Sequence, residues 1–242
     1  MKKIIIPFLL LLLTACDIES KTIETEVIAG SIHEWPGKIA DNEVVTIAND
    51  LFATNVLLLI DTSGSMEGSC GGKQKFGEAI KAAKEFLNKI PENANVGLIH
   101  FGSSSKIDTP LSTDKNQVLA GINKLKSGGG TPMDSALAWA NQSITAQAKA
   151  QKSNGKYHIV ILGDGIPDSE QITAKYLDYF IDKTPVMVHA IGFCANLDIL
   201  KRPGMDFKTV ENSGELSEAF KSVLAEIDFK GDMSHLNLGD SW

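Results

Sequence analysis

Four stretches of this chain are apolar at almost every position: Val56-Leu57-Leu58-Leu59-Ile60, Val96 to Phe101, Tyr157 to Leu162 and Val186 to Ile191. A run that is apolar on consecutive residues cannot keep one face in water, so each reads as a strand covered on both faces, as in a parallel sheet. Ile107 to Leu111, broken by Pro110, reads as a weaker edge strand, where a missing N–H donor is tolerated. Between the runs the apolar period changes to three and four. Phe76, Ile80, Ala83, Leu87 and Ile90 mark a helix ending before Pro91. Asp114 and Gln117 form a capping-box-like start for a helix carrying Val118, Leu119, Ile122 and Leu125 and stopping at Gly128. Met133, Ala136, Leu137, Ala140 and Ile144 mark the next helix, and Ile172, Tyr176 and Phe180 another. Leu216, Phe220, Val223, Leu224 and Ile227 mark the last. This alternation predicts an α/β fold: a three-layer, doubly wound, mostly parallel sheet with helices on both faces.

The amino terminus reads as an address. Lys2 and Lys3 precede the apolar run Ile4 to Leu13, and Thr14-Ala15-Cys16 supplies small residues at a cleavage point, the pattern of a secretory signal. About ten residues make a helix of only about 15 Å, half a bilayer core, which disfavours a membrane-spanning segment. The expected organisation is a signal peptide over 1–15, a tether and lead-in over 16–50, a folded domain over 51–229 and a tail over 230–242. The net charge of −7, without a lysine-arginine cluster, excludes the dense basic surface that nucleic acid requires. Of three cysteines, Cys70 and Cys194 remain once Cys16 is set aside. In an oxidising compartment an even remainder points to one disulfide, with two free buried thiols as the alternative.

In an open parallel sheet, ligands gather beyond the carboxyl ends of the strands, where strand order reverses. Asp61, Ser63 and Ser65 follow one strand, Asp164 follows another, and Thr131 lies in a glycine-rich loop entering a helix, so all five can meet on one edge. Hydroxyls and carboxylates are hard oxygen donors, suited to Mg²⁺, Mn²⁺ or Ca²⁺ and unsuited to soft-metal chemistry.

Asp61-Thr62-Ser63-Gly64-Ser65, Gly129-Gly130-Thr131-Pro132 and Leu162-Gly163-Asp164-Gly165 resemble, in order and spacing, the metal-ion-dependent adhesion site of von Willebrand factor type A domains. The resemblance runs from about Asn55 to Ile227. It implies one divalent cation, Mg²⁺ foremost, touched by Ser63, Ser65 and Thr131. Asp61 and Asp164 would hold it largely through water, leaving a position for an acidic residue of a partner protein. Gly163 departs from the pattern, since many members carry threonine there. Leu13-Thr14-Ala15-Cys16 resembles a bacterial lipobox, which implies a lipid on Cys16 and an extracytoplasmic, envelope-anchored protein. Asp17 resembles the signal that retains lipoproteins in the inner membrane, facing the periplasm, where an outer membrane exists. Both Cys70 and Cys194 would then lie on the edge that carries the metal, and a bridge between them would pin the loop framing it.

These features predict a binding module rather than an enzyme, with no small-molecule substrate. The alternatives are a scaffold component of a pilus, secretion or envelope complex with a purely structural metal, and a hydrolase using the ion to activate water. His100 and His189 read as packed strand residues, while His33, His158 and His235 look scattered. No histidine pair has zinc-protease spacing, and no Gly-x-Ser-x-Gly elbow is present. Gly128-Gly129-Gly130-Thr131 lacks the lysine of a phosphate-binding loop.

Overall fold

The computed structural model describes residues 35–39, 43–195 and 197–228. The expected signal peptide, the lipidation site Cys16, most of the tether and the tail over 230–242 lie outside the described residues. Six strands form the main sheet: β1 (Thr54–Asp61), β4 (Asn95–Phe101), β5 (Ser105–Ser112), β6 (Lys156–Gly163), β7 (Val186–Phe193) and β8 (Asp206–Val210). Their order is β5-β4-β1-β6-β7-β8, with β5 antiparallel and every other pairing parallel. A two-stranded hairpin, β2 (Ser69–Cys70) with β3 (Lys73–Gln74), stands apart from it.

Alternate residues of the same strand feed two different cores, which is why the runs are apolar throughout. Val56, Leu58 and Ile60 face α1 (Lys75–Leu87), α2 (Lys115–Ile122) and α5 (Ser213–Asp228). Leu57 and Leu59 face α3 (Met133–Ala150) and α4 (Glu170–Lys183). The predicted three-layer α/β architecture is the observed one.

Several local features differ from the sequence reading. The edge strand is longer than Ile107–Leu111, and Pro110 sits where the β4–β5 register shifts. Helix α2 ends at Ile122 rather than near Gly128, its chain continuing in tighter turns from Lys124 to Gly121 and from Leu125 to Ile122. Its start is a variant of the capping box: Asp114 Oδ1 accepts from the Asn116 N–H, while the Gln117 side chain donates to Asp114 Oδ2 instead of reaching the cap backbone. Strand β8 and the β2–β3 hairpin have no counterpart in the sequence reading.

The described lead-in packs at the amino ends of the strands. Ala48 donates to the Ala150 carbonyl at the end of α3, Lys149 pairs with Glu43 at 2.8 Å, and Trp35 meets Tyr157 edge to face. The opposite end of the sheet is crossed by a covalent link. Cys70 and Cys194 are disulfide-bonded, with 5.9 Å between their alpha carbons, joining the hairpin to the residue after β7 across 124 positions.

Closing so long a loop removes conformations from the unfolded chain, an effect of about 2–4 kcal/mol. A Cys70→Ala/Cys194→Ala double variant is therefore expected to keep its secondary structure while losing about that much stability in equilibrium urea unfolding. An unchanged midpoint and slope would show that the bridge adds nothing.

Candidate metal centre

Strand β1 has β4 on one side and β6 on the other, so strand order reverses there, and polar groups collect at the carboxyl ends of β1 and β6. Asp61 is the last residue of β1, and Ser63 and Ser65 belong to the turn that enters a short 3₁₀ helix, Gly64–Glu67. Asp164 follows the last residue of β6, and Thr131 precedes α3.

The loop bearing Thr131 is laid onto that turn by paired backbone bonds. Gly128 N–H donates to the Thr62 carbonyl at 2.7 Å, and Gly64 N–H donates to the Gly129 carbonyl at 3.0 Å. Gly129 has φ of 85° and sits against the Ser103 backbone with no room for a side chain, so the close approach demands glycine there. Beyond it, Thr131 and Asp168 exchange two bonds: Asp168 Oδ1 accepts from the Thr131 N–H at 2.9 Å, and Asp168 N–H donates to the Thr131 carbonyl at 3.0 Å.

Four of the five sequence candidates form one hydrogen-bonded group. Asp61 Oδ1 accepts from the Ser63 N–H at 2.7 Å and Oδ2 from the Asp164 N–H at 3.3 Å. Ser63 Oγ lies 2.9 Å from Ser65 Oγ, which donates to Asp164 Oδ1 at 2.6 Å. Ser63 occupies a helix-cap position, yet its hydroxyl makes no capping bond. Thr131 meets this group at Gly165. A Cβ added to Gly165 would lie 2.8 Å from Thr131 Oγ1 and 3.5 Å from Ser65 Oγ, so both hydroxyls border the position that glycine leaves open. Gly163 has a similar part: a Cβ there would come within 2.9 Å of Asp61 Oδ2, so a threonine could not enter without moving that carboxylate.

Sequence reasoning missed two charged neighbours. Lys75, at the start of α1, places its ammonium on Asp164 Oδ2, and Asp168 orients Thr131 through the backbone. Neither carries a local signal, because each acts on a residue far away in sequence. The reading of His158 as scattered is corrected: His158 Nδ1 and His189 Nε2 are 3.2 Å apart, with the rings stacked, because β6 and β7 are neighbours. His100 is hydrogen-bonded to Asp108 at 2.6 Å. Among the described residues, no three histidine, cysteine, aspartate or glutamate side chains group as a metal site. The cluster is instead two carboxylates with three hydroxyls.

Burial dominates the electrostatics of Asp61. It pushes the carboxyl from 3.8 up to about 6, against the lowering effect of the hydrogen bonds from Ser63, and the Asp164 carboxylate pushes it further the same way. Between those two values the folded state keeps a proton that the unfolded chain has released, so stability falls as pH rises through that window. In chelator, the fall attributable to Asp61 is expected to be roughly 3 kcal/mol, and Asp61→Asn should lack it. Urea midpoints for both proteins between pH 4 and 7 measure it, and parallel profiles would overturn the assignment.

Residues 56–166 match the family model of the von Willebrand factor type A domain. Uncharacterized protein YwmD of Bacillus subtilis (strain 168) is 28% identical over 204 residues, covering 72% of this chain and 85% of that protein. A von Willebrand factor type A protein from Catenulispora acidiphila superposes with a TM-score of 0.61 at 17% identity, over 72% of this chain and 42% of that one. The pilus adhesin SpaC of Lactobacillus rhamnosus GG superposes at 0.60 and 17% identity, over 76% of this chain and 31% of that one. The manganese-loaded Plasmodium vivax TRAP protein superposes at 0.53 and 18% identity, over 72% and 74% of the two chains. The region from Thr54 to Asp228 therefore has the fold of von Willebrand factor type A domains, and residues 56–166 within it match that family's own model.

Proposed function

We propose that Asp61, Ser63, Ser65, Thr131 and Asp164 hold one divalent cation, Mg²⁺ foremost, and that the ion serves to bind an acidic residue of a partner protein. The observation that carries this reading is the convergence of Ser63, Ser65, Asp61 and Asp164 in one bonded group, with the Thr131 and Ser65 hydroxyls both packed beside Gly165. Such a set of oxygens fits a hard cation. With Asp61 and Asp164 already engaged by backbone and hydroxyl donors, hydroxyls rather than carboxylates would meet the ion. An ion so held stays electrophilic and supplies a docking point for a carboxylate. Manganese in the Plasmodium vivax protein supports the metal, and the pilus adhesin among the relatives supports protein binding as the role.

The surroundings suit a docking face. Ile166, two residues beyond Asp164, is 69% exposed and offers apolar area next to the charged site. The lead-in packs at the other end of the sheet, beside Tyr157 and Ala150. A lipid on Cys16 would therefore tether the domain through a lead-in that joins it at the end of the sheet opposite the site. On this reading the protein is an envelope-anchored binding module, and a purely structural metal would leave the exposed rim around Asp164 without a role.

Two measurements test it. Saturating Mg²⁺ or Mn²⁺, at about a hundred times its dissociation constant, should raise the melting temperature by roughly 5–10 °C, and Asp61→Ala or Thr131→Ala should abolish the rise. Affinity capture from solubilised envelopes should yield a partner in Mg²⁺ that is lost in chelator and with Thr131→Ala. Capture that survives chelation would defeat the docking role, and a melting temperature indifferent to metal would defeat the site.

A further inference from the structure

Lys75 is the one basic group built into this cluster among the described residues, and its placement is specific. Its backbone N–H donates to the Gly68 carbonyl at 2.8 Å, which brings the chain back from the β2–β3 hairpin to the turn containing Ser65. Its side chain is 12% exposed, and the ammonium contacts Asp164 Oδ2, whose side chain is fully buried. A Cβ on Gly68 would lie 3.3 Å from Lys75 Cε and 3.6 Å from Nζ, so the lysine stem runs past a point where the loop carries no side chain. Asp164 thereby divides its two oxygens, Oδ1 to the Ser65 hydroxyl and Oδ2 to the ammonium.

That division has an electrostatic consequence. A buried carboxylate without a counter-ion is costly, and Lys75 offsets part of that cost at Asp164. A divalent cation drawing on Ser65 and Asp164 would meet a like charge already seated on the same carboxylate, where low exposure screens repulsion poorly. Building on the metal reading above, we propose that Lys75 is an internal cation competing with the divalent metal for Asp164. It neutralises Asp164 without metal and weakens metal binding below what the oxygen set alone would give. Loading would then set the divalent charge, held at Asp164 through water, against the ammonium on the same carboxylate and displace it, so metal occupancy follows the cation concentration of the compartment over a higher range.

The test is a Mn²⁺ titration of the full chain in detergent, read by the signal of free Mn²⁺, for wild type, Lys75→Met and Lys75→Arg. Lys75→Met is expected to bind at least about tenfold more tightly and Lys75→Arg to stay near wild type. A lysine that merely props the loop would give the opposite sign, weaker binding in Lys75→Met. Equal or weaker binding by that variant, with wild type still binding, overturns the competition and leaves the metal site standing. Absence of Mn²⁺ binding by all three proteins overturns both readings. A second readout needs no methionine variant: the Lys75 ammonium resonance of ¹⁵N-lysine-labelled wild type, assigned by its loss in Lys75→Arg, should move on saturation with Mg²⁺. A resonance that stays in place overturns the proposal.

Discussion

Covering both faces of a parallel sheet decides where this protein can do chemistry. The residues of β1 are buried from Val56 to Asp61, because helices α1, α2 and α5 lie on one side and α3 and α4 on the other. A polar ligand finds little purchase on such faces, so interaction is left to the strand ends, and the switch of order at β1 parts the loops there. The site follows from the layers.

Placing carboxylates at that edge creates an electrostatic problem that the local structure answers in two ways. Asp61 is satisfied by backbone donors but has no cation paired with it among the described residues, and burial raises its affinity for a proton. Asp164 lies one strand away and is answered by a charge, the ammonium of Lys75, together with the Ser65 hydroxyl. The two aspartates are thus unequal before any ligand arrives: one is held by dipoles, the other by an ion pair. Glycines set the spacing. Side chains at Gly163 or Gly165 would press on Asp61 or Thr131, and one at Gly129 would collide with Ser103, so this compact arrangement of oxygens requires their absence.

Much of this was legible from residues whose environment is set locally. Val56–Ile60 and Tyr157–Leu162 read as covered strands because every residue must be apolar there, and Asp61 and Asp164 read as edge residues because they follow those runs. What was not legible depends on partners distant in sequence. Strand β8, Asp-Phe-Lys-Thr-Val, is an edge strand with partly exposed residues, so it carries no continuous apolar run. The hairpin has two residues per strand, too few for any period to register. Lys75 reads as an ordinary first-turn helix residue, and only the return of the chain at Gly68 turns it toward Asp164. His158 and His189 meet because β6 pairs with β7, a fact of topology rather than of spacing.

The hairpin shows how much a site of this kind can rest on remote support. A ribbon of two residues per strand is not stable alone, so β2 and β3 are held by what they touch. Cys70 is tied to Cys194 beyond β7, Gly71 lies against Asn212, and Lys73 bonds the Ser213 hydroxyl at the start of α5. The next residues, Gln74 and Lys75, open α1, so the direction from which the ammonium reaches Asp164 is set by this small ribbon and its anchors. Strand β7 lies inside the six-stranded sheet, and the disulfide ties the short hairpin to the residue that follows it. The charge beside Asp164 is therefore positioned by contacts made at the far side of β7.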